Sequence, residues 1–257
     1  MRKMLYATGL GAMAVFAVGA ASANDELHKM SQNPKDWVMP TGDYTNQRYS
    51  KLNQINASNV GKLQVAWTFS TGVLRGHEGG PLIIGNMMYV HTPFPNKVYA
   101  IDLSKDNQIV WKYEPKQDPN VIPVMCCDTV NRGVAYGDGK IFLHQADTTL
   151  VALDAKTGKE LWREKAADIK EGYSMTVAPL VADGVVITGI SGAEFGTRGF
   201  IDGWDPATGK KLWRTYTIPT PDEPGGDTWK GDTWKLGGGS TWITGSYDAE
   251  LNTVYWG

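Results

Sequence analysis

A tryptophan recurs at a fixed interval along this chain. Trp111, Trp162 and Trp213 are spaced 51 residues apart. The last two close the same phrase, Asp-x-x-Thr-Gly-Lys-x-Leu-Trp, carried by Asp154, Thr157, Gly158, Lys159, Leu161 and Trp162 and again by Asp205, Thr208, Gly209, Lys210, Leu212 and Trp213. Val98 to Asp102, running on to Trp111, is a looser copy with Asp106-Asn107 in its turn. Val65-Ala66-Trp67 ends a partial copy 44 residues before Trp111. Self-similarity at this period describes an array of supersecondary units that bury their apolar faces against one another.

Each unit reads as strand, tight turn, strand. An apolar run ends in Asp, the Thr-Gly pair supplies the turn and its positive φ, and Trp follows on the return strand. Leu82–Ile84, Met87–Val90, Lys140–His144 and Val185–Thr188 read as further strands. Gly137-Asp138-Gly139 and Ala182-Asp183-Gly184 read as the turns between them. Four short strands per repeat, in a chain with 30 glycines and 10 tryptophans, predict an all-β fold and exclude helical bundles. The architecture expected is a β-propeller, with the repeated Trp packed between neighbouring blades.

Arg2-Lys3, an uncharged stretch from Leu5 to Ala20 and Ala21-Ser22-Ala23 together read as a secretory signal peptide over residues 1–23. Its removal leaves 234 residues and, with two positive charges gone, takes the formal charge from −2 to −4. At roughly 45–50 residues per blade, that length provides four to five blades. The expectation is that residues 24–257 are the N-terminal part of a single longer propeller domain. With 25 basic against 27 acidic residues, nothing favours a phosphate backbone, so a nucleic-acid partner is not expected. The Thr-Gly-Lys turns lack the spacing of a phosphate loop, and no Gly-x-Gly-x-x-Gly occurs.

Some residues do not fit a plain scaffold. The only cysteines, Cys126 and Cys127, are adjacent. In an exported chain they form a small vicinal disulfide ring, remain two thiols, or make half of a metal site. Ser191-Gly-Ala-Glu194-Phe-Gly196 puts one carboxylate in a loop of small residues, and Gly237-Gly-Gly-Ser-Thr-Trp242 delivers an indole from a similar backbone. Arg75-Gly-His-Glu78-Gly-Gly brings charge and glycines ahead of a strand. The four histidines show no ligand spacing and receive no role.

Together, Arg75 to Pro81, Val124 to Gly133, Gly189 to Gly196 and Gly237 to Trp242 resemble the pyrroloquinoline-quinone (PQQ) dependent alcohol dehydrogenases, and most strongly the XoxF-type, lanthanide-dependent methanol dehydrogenases. The Trp repeats resemble that family's tryptophan-docking motif. The resemblance implies an eight-bladed propeller, about half of it present here, with PQQ on its axis. It implies a Cys126–Cys127 disulfide on one face of the quinone and Trp242 on the other. Arg132 matches a position that meets PQQ carboxyl groups. Glu78, Val130, Thr176, Ser191, Gly192, Ala193 and Ser240 match other cofactor contacts, with Ser240 standing where Thr is common. Glu194 matches a ligand of the Lewis-acid metal beside PQQ, a lanthanide ion or, alternatively, Ca²⁺.

The activity implied is periplasmic oxidation of methanol or other primary alcohols to the aldehyde, with an Asp base, hydride passing to PQQ and electrons leaving to a c-type cytochrome. A homodimer is implied for the full-length protein. No catalytic residue is assigned within this sequence, because the family's Asp base matches a position beyond residue 257; the chain alone is therefore expected to be inactive. The alternatives are a calcium-dependent PQQ ethanol or broad alcohol dehydrogenase and, from another class, a non-catalytic Trp-repeat scaffold of outer-membrane assembly. Cys126-Cys127, Glu194 and Trp242 separate the scaffold from the enzymes, because a scaffold has no use for all three.

Overall fold

The computed structural model describes residues 23–257; the expected export signal, apart from its last residue, lies outside them. Three four-stranded antiparallel sheets follow one another, each a meander in which every strand pairs with the next in sequence. The first contains β1 (Leu82–Ile84), β2 (Met87–His91), β3 (Val98–Asp102) and β4 (Gln108–Tyr113). The second contains β5 (Val134–Gly137), β6 (Lys140–His144), β7 (Thr149–Asp154) and β8 (Glu160–Lys165). The third contains β9 (Leu180–Ala182), β10 (Val185–Thr188), β11 (Phe200–Trp204) and β12 (Lys211–Tyr216). A hairpin of β13 (Ser246–Asp248) and β14 (Thr253–Tyr255) comes last. These are propeller blades, as the repeat predicts.

The hairpin turns follow from local chemistry. Asp138-Gly139 and Asp183-Gly184 all have positive φ, the paired left-handed geometry whose twist suits a two-residue hairpin. In the Thr-Gly turns, the Asp154 carboxylate accepts from Thr157 N at 2.8 Å and Thr157 Oγ1 at 2.7 Å, and Asp205 does the same with Thr208. The chain then reverses through Gly158 and Gly209, both with positive φ.

Those turns are also docking surfaces. Trp111 Nε1 donates to Ala155 O of the following blade at 3.0 Å, and Trp162 Nε1 donates to Pro206 O at 3.1 Å. A Cβ on Gly158 would sit 2.6 Å from the Trp111 ring, and one on Gly209 would sit 2.7 Å from Trp162. Glycine is therefore required twice over, for its φ and for the indole lying on it. Opposite each Trp on the neighbouring strand stands a small residue, Ala100, Ala152 or Gly203, and each is followed by a break in register. Gly158→Ala is expected to cost about 2 kcal/mol in urea unfolding, combining the strained φ with the displaced ring.

Between the sheets, Leu82, Leu143, Leu153, Phe142, Val186, Phe200 and Trp204 are buried. The outer strands β4, β8 and β12 face solvent for most of their length. Helix α1 (Ala23–Ser31) and the loop after it cap the second and third sheets, burying Leu27, Val38 and Tyr44. Trp67 differs from the other repeat tryptophans in its backbone: residues 63–71 form no strand. A lone return strand has no ladder to join among the described residues, so this copy of the repeat keeps the sequence without the pairing.

Candidate functional site

Four connecting segments meet at one place: 125–132 before β5, 173–176 before β9, 189–196 between β10 and β11 within the third sheet, and 239–242 between β12 and β13. They enclose a cleft with room for about 270 Å³ of water-sized space. Cys126, Cys127, Val130, Arg132, Thr176, Ser191, Glu194, Ser240 and Trp242 all line it. Nine of the sequence-derived candidates, spread over 117 positions of chain, thus line one cleft.

The Cys126 and Cys127 sulfurs are bonded, at 2.02 Å. Asp118 caps the 3-10 turn that leads in (Pro119–Val124) by accepting from Asn120 N, and Val121 and Met125 anchor the loop against Ala146 and Ile169. Cys127 and Asp128 both have positive φ. The Asp128 carboxylate steadies this backbone by accepting from Thr129 N at 2.8 Å and from Gly76 N at 3.0 Å. These amide donors, the Gly76 N–H foremost, hold its carboxyl below the usual range.

Arg132 is the hub of the polar side. Its Nη1 donates to Thr176 Oγ1 at 2.9 Å, its Nη2 pairs with Glu78 at 2.9 Å, and its backbone N–H donates to Thr176 O at 2.9 Å. Thr176 Oγ1 in turn lies 2.9 Å from Ser191 Oγ. The guanidinium carbon stands 4.6 Å from the centre of the Trp242 ring, a cation–π contact. Burial pulls the guanidinium pKa down, and the Glu78 carboxylate opposes that shift. Glu78 itself lines an adjoining cleft of about 580 Å³, which shares Arg132 and Trp242 with the first.

Glu194 is exposed on a single 3-10 turn, Ala193–Phe195, bounded by Gly192 and Gly196, both at positive φ. Gly192 is buried beneath the wall, where a side chain would collide with the Gly172 carbonyl. Ala193 packs near Gly238. Both therefore shape the turn without facing the cleft. Trp242 is aimed by its neighbour: Thr241 Oγ1 donates to Phe200 O at 2.7 Å and accepts from Ile190 N at 2.8 Å. Thr241 is buried and carries no signal in the sequence beyond its place before Trp242. Ser174 also lines the cleft and escaped the sequence analysis. It is bridged to Ser191 by reciprocal backbone bonds of 3.2 and 2.9 Å, a pairing of distant segments that no spacing rule announces.

This donor set suits a flat, oxygen-rich, anionic molecule. A guanidinium and four hydroxyls (Ser174, Thr176, Ser191, Ser240) supply donors, and the disulfide and indole supply apolar surface. It does not by itself suit a metal. Glu194 is the one carboxylate lining the cleft, and no cluster of three or more His, Cys, Asp or Glu side chains is placed to hold an ion among the described residues. A hard cation takes six to eight oxygens.

Residues 37–257 match the family described as PQQ, glucose/ethanol/alcohol dehydrogenase, beta-propeller domain. The chain is 55% identical to a lanthanide-dependent methanol dehydrogenase of Methylorubrum extorquens, over 98% of this chain and 45% of that protein. It is 42% identical to methanol dehydrogenase (cytochrome c) subunit 1 of Paracoccus denitrificans, over 95% of this chain and 43% of that one. A solved europium-containing methanol dehydrogenase superposes with a TM-score of 0.87 at 48% identity, covering 89% of this chain and 43% of that chain. The chain thus spans a little under half the length of these relatives. With its blades and its match over residues 37–257 both established, it belongs to the β-propeller family of PQQ-dependent alcohol dehydrogenases.

Proposed function

We propose that the cleft binds PQQ and that this chain forms part of a periplasmic quinoprotein oxidising methanol and related primary alcohols, with a c-type cytochrome as electron acceptor. The observation that carries this reading is the convergence of the disulfide, Trp242 and the Arg132–Thr176–Ser191 ladder on one cleft. When bound, PQQ supplies the two-electron redox chemistry that ordinary side chains lack. Arg132 would meet its carboxylates, with Glu78 holding the guanidinium in place. Thr176, Ser191, Ser174 and Ser240 would satisfy its oxygens, while Cys126–Cys127, Val130 and Trp242 would offer surface to its rings. Gly192 and Ala193 would act through the shape of the Glu194 turn.

Glu194 is proposed as one ligand of the accompanying cation. The names of the relatives favour a lanthanide, with calcium as the alternative. One carboxylate falls short of such a site, which needs further oxygen ligands besides Glu194. For the same reason the chain alone is expected not to oxidise methanol, since a Glu194 committed to a cation leaves the cleft without a base.

The test is equilibrium dialysis of the purified chain against PQQ. The chain should retain PQQ, and Arg132→Ala should weaken binding by about 2 kcal/mol, roughly thirtyfold in Kd. A chain that retains no PQQ, or an Arg132→Ala variant that holds it as tightly, defeats the proposal.

A further inference from the structure

His91 is the last residue of β2, and His144 is the last residue of β6. Both are buried. His91 Nε2 lies 3.1 Å from Asn131 O, and His144 Nδ1 lies 2.9 Å from Val177 O. These acceptors hold equivalent positions, each three residues before the first strand of the next blade, β5 or β9. A carbonyl can only accept, so His91 carries its proton on Nε2 and His144 carries its proton on Nδ1. The other ring nitrogen of each has no partner among the described residues.

The two bonds belong to one run. Asn131 Nδ2 donates to His144 O at 2.8 Å, and Asn131 Oδ1 accepts from Gly133 N at 3.0 Å. Buried polar contacts therefore pass from β2 to Asn131, on to His144, and on to Val177. Asn131 immediately precedes Arg132, and Val177 immediately follows Thr176. Gly79, next to Glu78, lies where a side chain would strike both the His91 ring and the Arg132 carbonyl. The run thus passes one residue behind three groups of the polar wall. The third blade does not continue it, because Thr188 at the end of β10 accepts from Trp204 Nε1 instead.

We propose that His91 and His144 are positioning residues that set the spacing of Glu78, Arg132 and Thr176 across the blade junctions, and so set the affinity of the cleft for PQQ. This rests on the reading of the cleft as a PQQ site. Neither imidazole lines the cleft, so each acts through the backbone it holds.

The opposite tautomers provide a specific test. A glutamine amide can replace an Nε2–H donor, and an asparagine amide can replace an Nδ1–H donor. His91→Gln and His144→Asn should keep PQQ affinity within threefold of the unmodified chain in equilibrium dialysis. His91→Asn and His144→Gln, of like polarity, should lose tenfold or more at comparable melting temperature. Should any variant fail to fold, long-range proton–nitrogen NMR of the unmodified chain at neutral pH reads the ring protons directly. It should show Nε2–H for His91 and Nδ1–H for His144, with both rings shifting on PQQ addition. Affinity that is indifferent to the Asn or Gln choice, matching tautomers, or rings unmoved by PQQ would overturn the inference. Failure of the unmodified chain to bind PQQ at all is a different result and removes the cofactor reading itself.

Discussion

Acidifying the chain from neutral pH to about 4 is expected to strip roughly 3 kcal/mol of stability for each of two histidines. Burial pushes His91 and His144 from 6.5 down to about 4, and nearby His77 adds slightly to the effect at His91. Below 6.5 the unfolded chain takes up protons that the folded chain refuses until near 4, so stability is complete above 6.5 and falls through that window. Melting temperatures measured across this range should drop steeply, and the His91→Gln/His144→Asn double variant should show a much flatter profile. An equally steep profile in the double variant would assign the acid sensitivity to other groups.

The second large effect is expected at Arg214. Its guanidinium grips Asp202 with two bonds of 2.6 Å, Nε to Oδ1 and Nη2 to Oδ2, and Nη2 also donates to Ala166 O of the preceding blade at 2.8 Å. The Asp202 side chain is fully buried. Arg214→Leu strands a carboxylate in that interior and should cost about 3–5 kcal/mol in urea unfolding. Removing both partners, as Asp202→Leu/Arg214→Leu, should recover most of the loss, because the charge that lacked a partner has gone as well. If the double variant is no better than the single one, the loss comes from packing against Phe200, whose ring lies 3.5 Å from the guanidinium carbon. The pair also bears on the cleft, since Phe200 O accepts the Thr241 hydroxyl that steadies Trp242.

Much of this was legible beforehand, for identifiable reasons. A repeat with its own turn chemistry declares strands and their order, because Asp, Thr and Gly act on the backbone within a few residues of themselves. Cys126-Cys127, Glu194 and Trp242 were legible as a set because the resemblance ties them together. Ser174, Thr241 and the two buried histidines were not. Their partners are main-chain groups contributed by distant segments, and a sequence displays side chains only. His91 and His144 lacked the spacing of metal ligands because carbonyls, not metals, meet them. Trp67 failed in the other direction: the motif is present, and the strands that would receive it are not among the described residues.

The tryptophan docking has a direction. Trp111 and Trp162 each seat on the turn of the sheet that comes next in the chain. During synthesis, every newly completed sheet therefore exposes an aromatic surface until its successor emerges, and each successor removes the exposure left by its predecessor. Structure grows by addition at one end, with contacts mostly between sequence neighbours, which favours rapid, stepwise assembly. Most walls of the cleft come from the connections between sheets, and the last of them, carrying Ser240 and Trp242, follows β12, so the pocket matures last. A chaperone that binds exposed aromatic segments would meet this chain as a moving target, one sheet at a time.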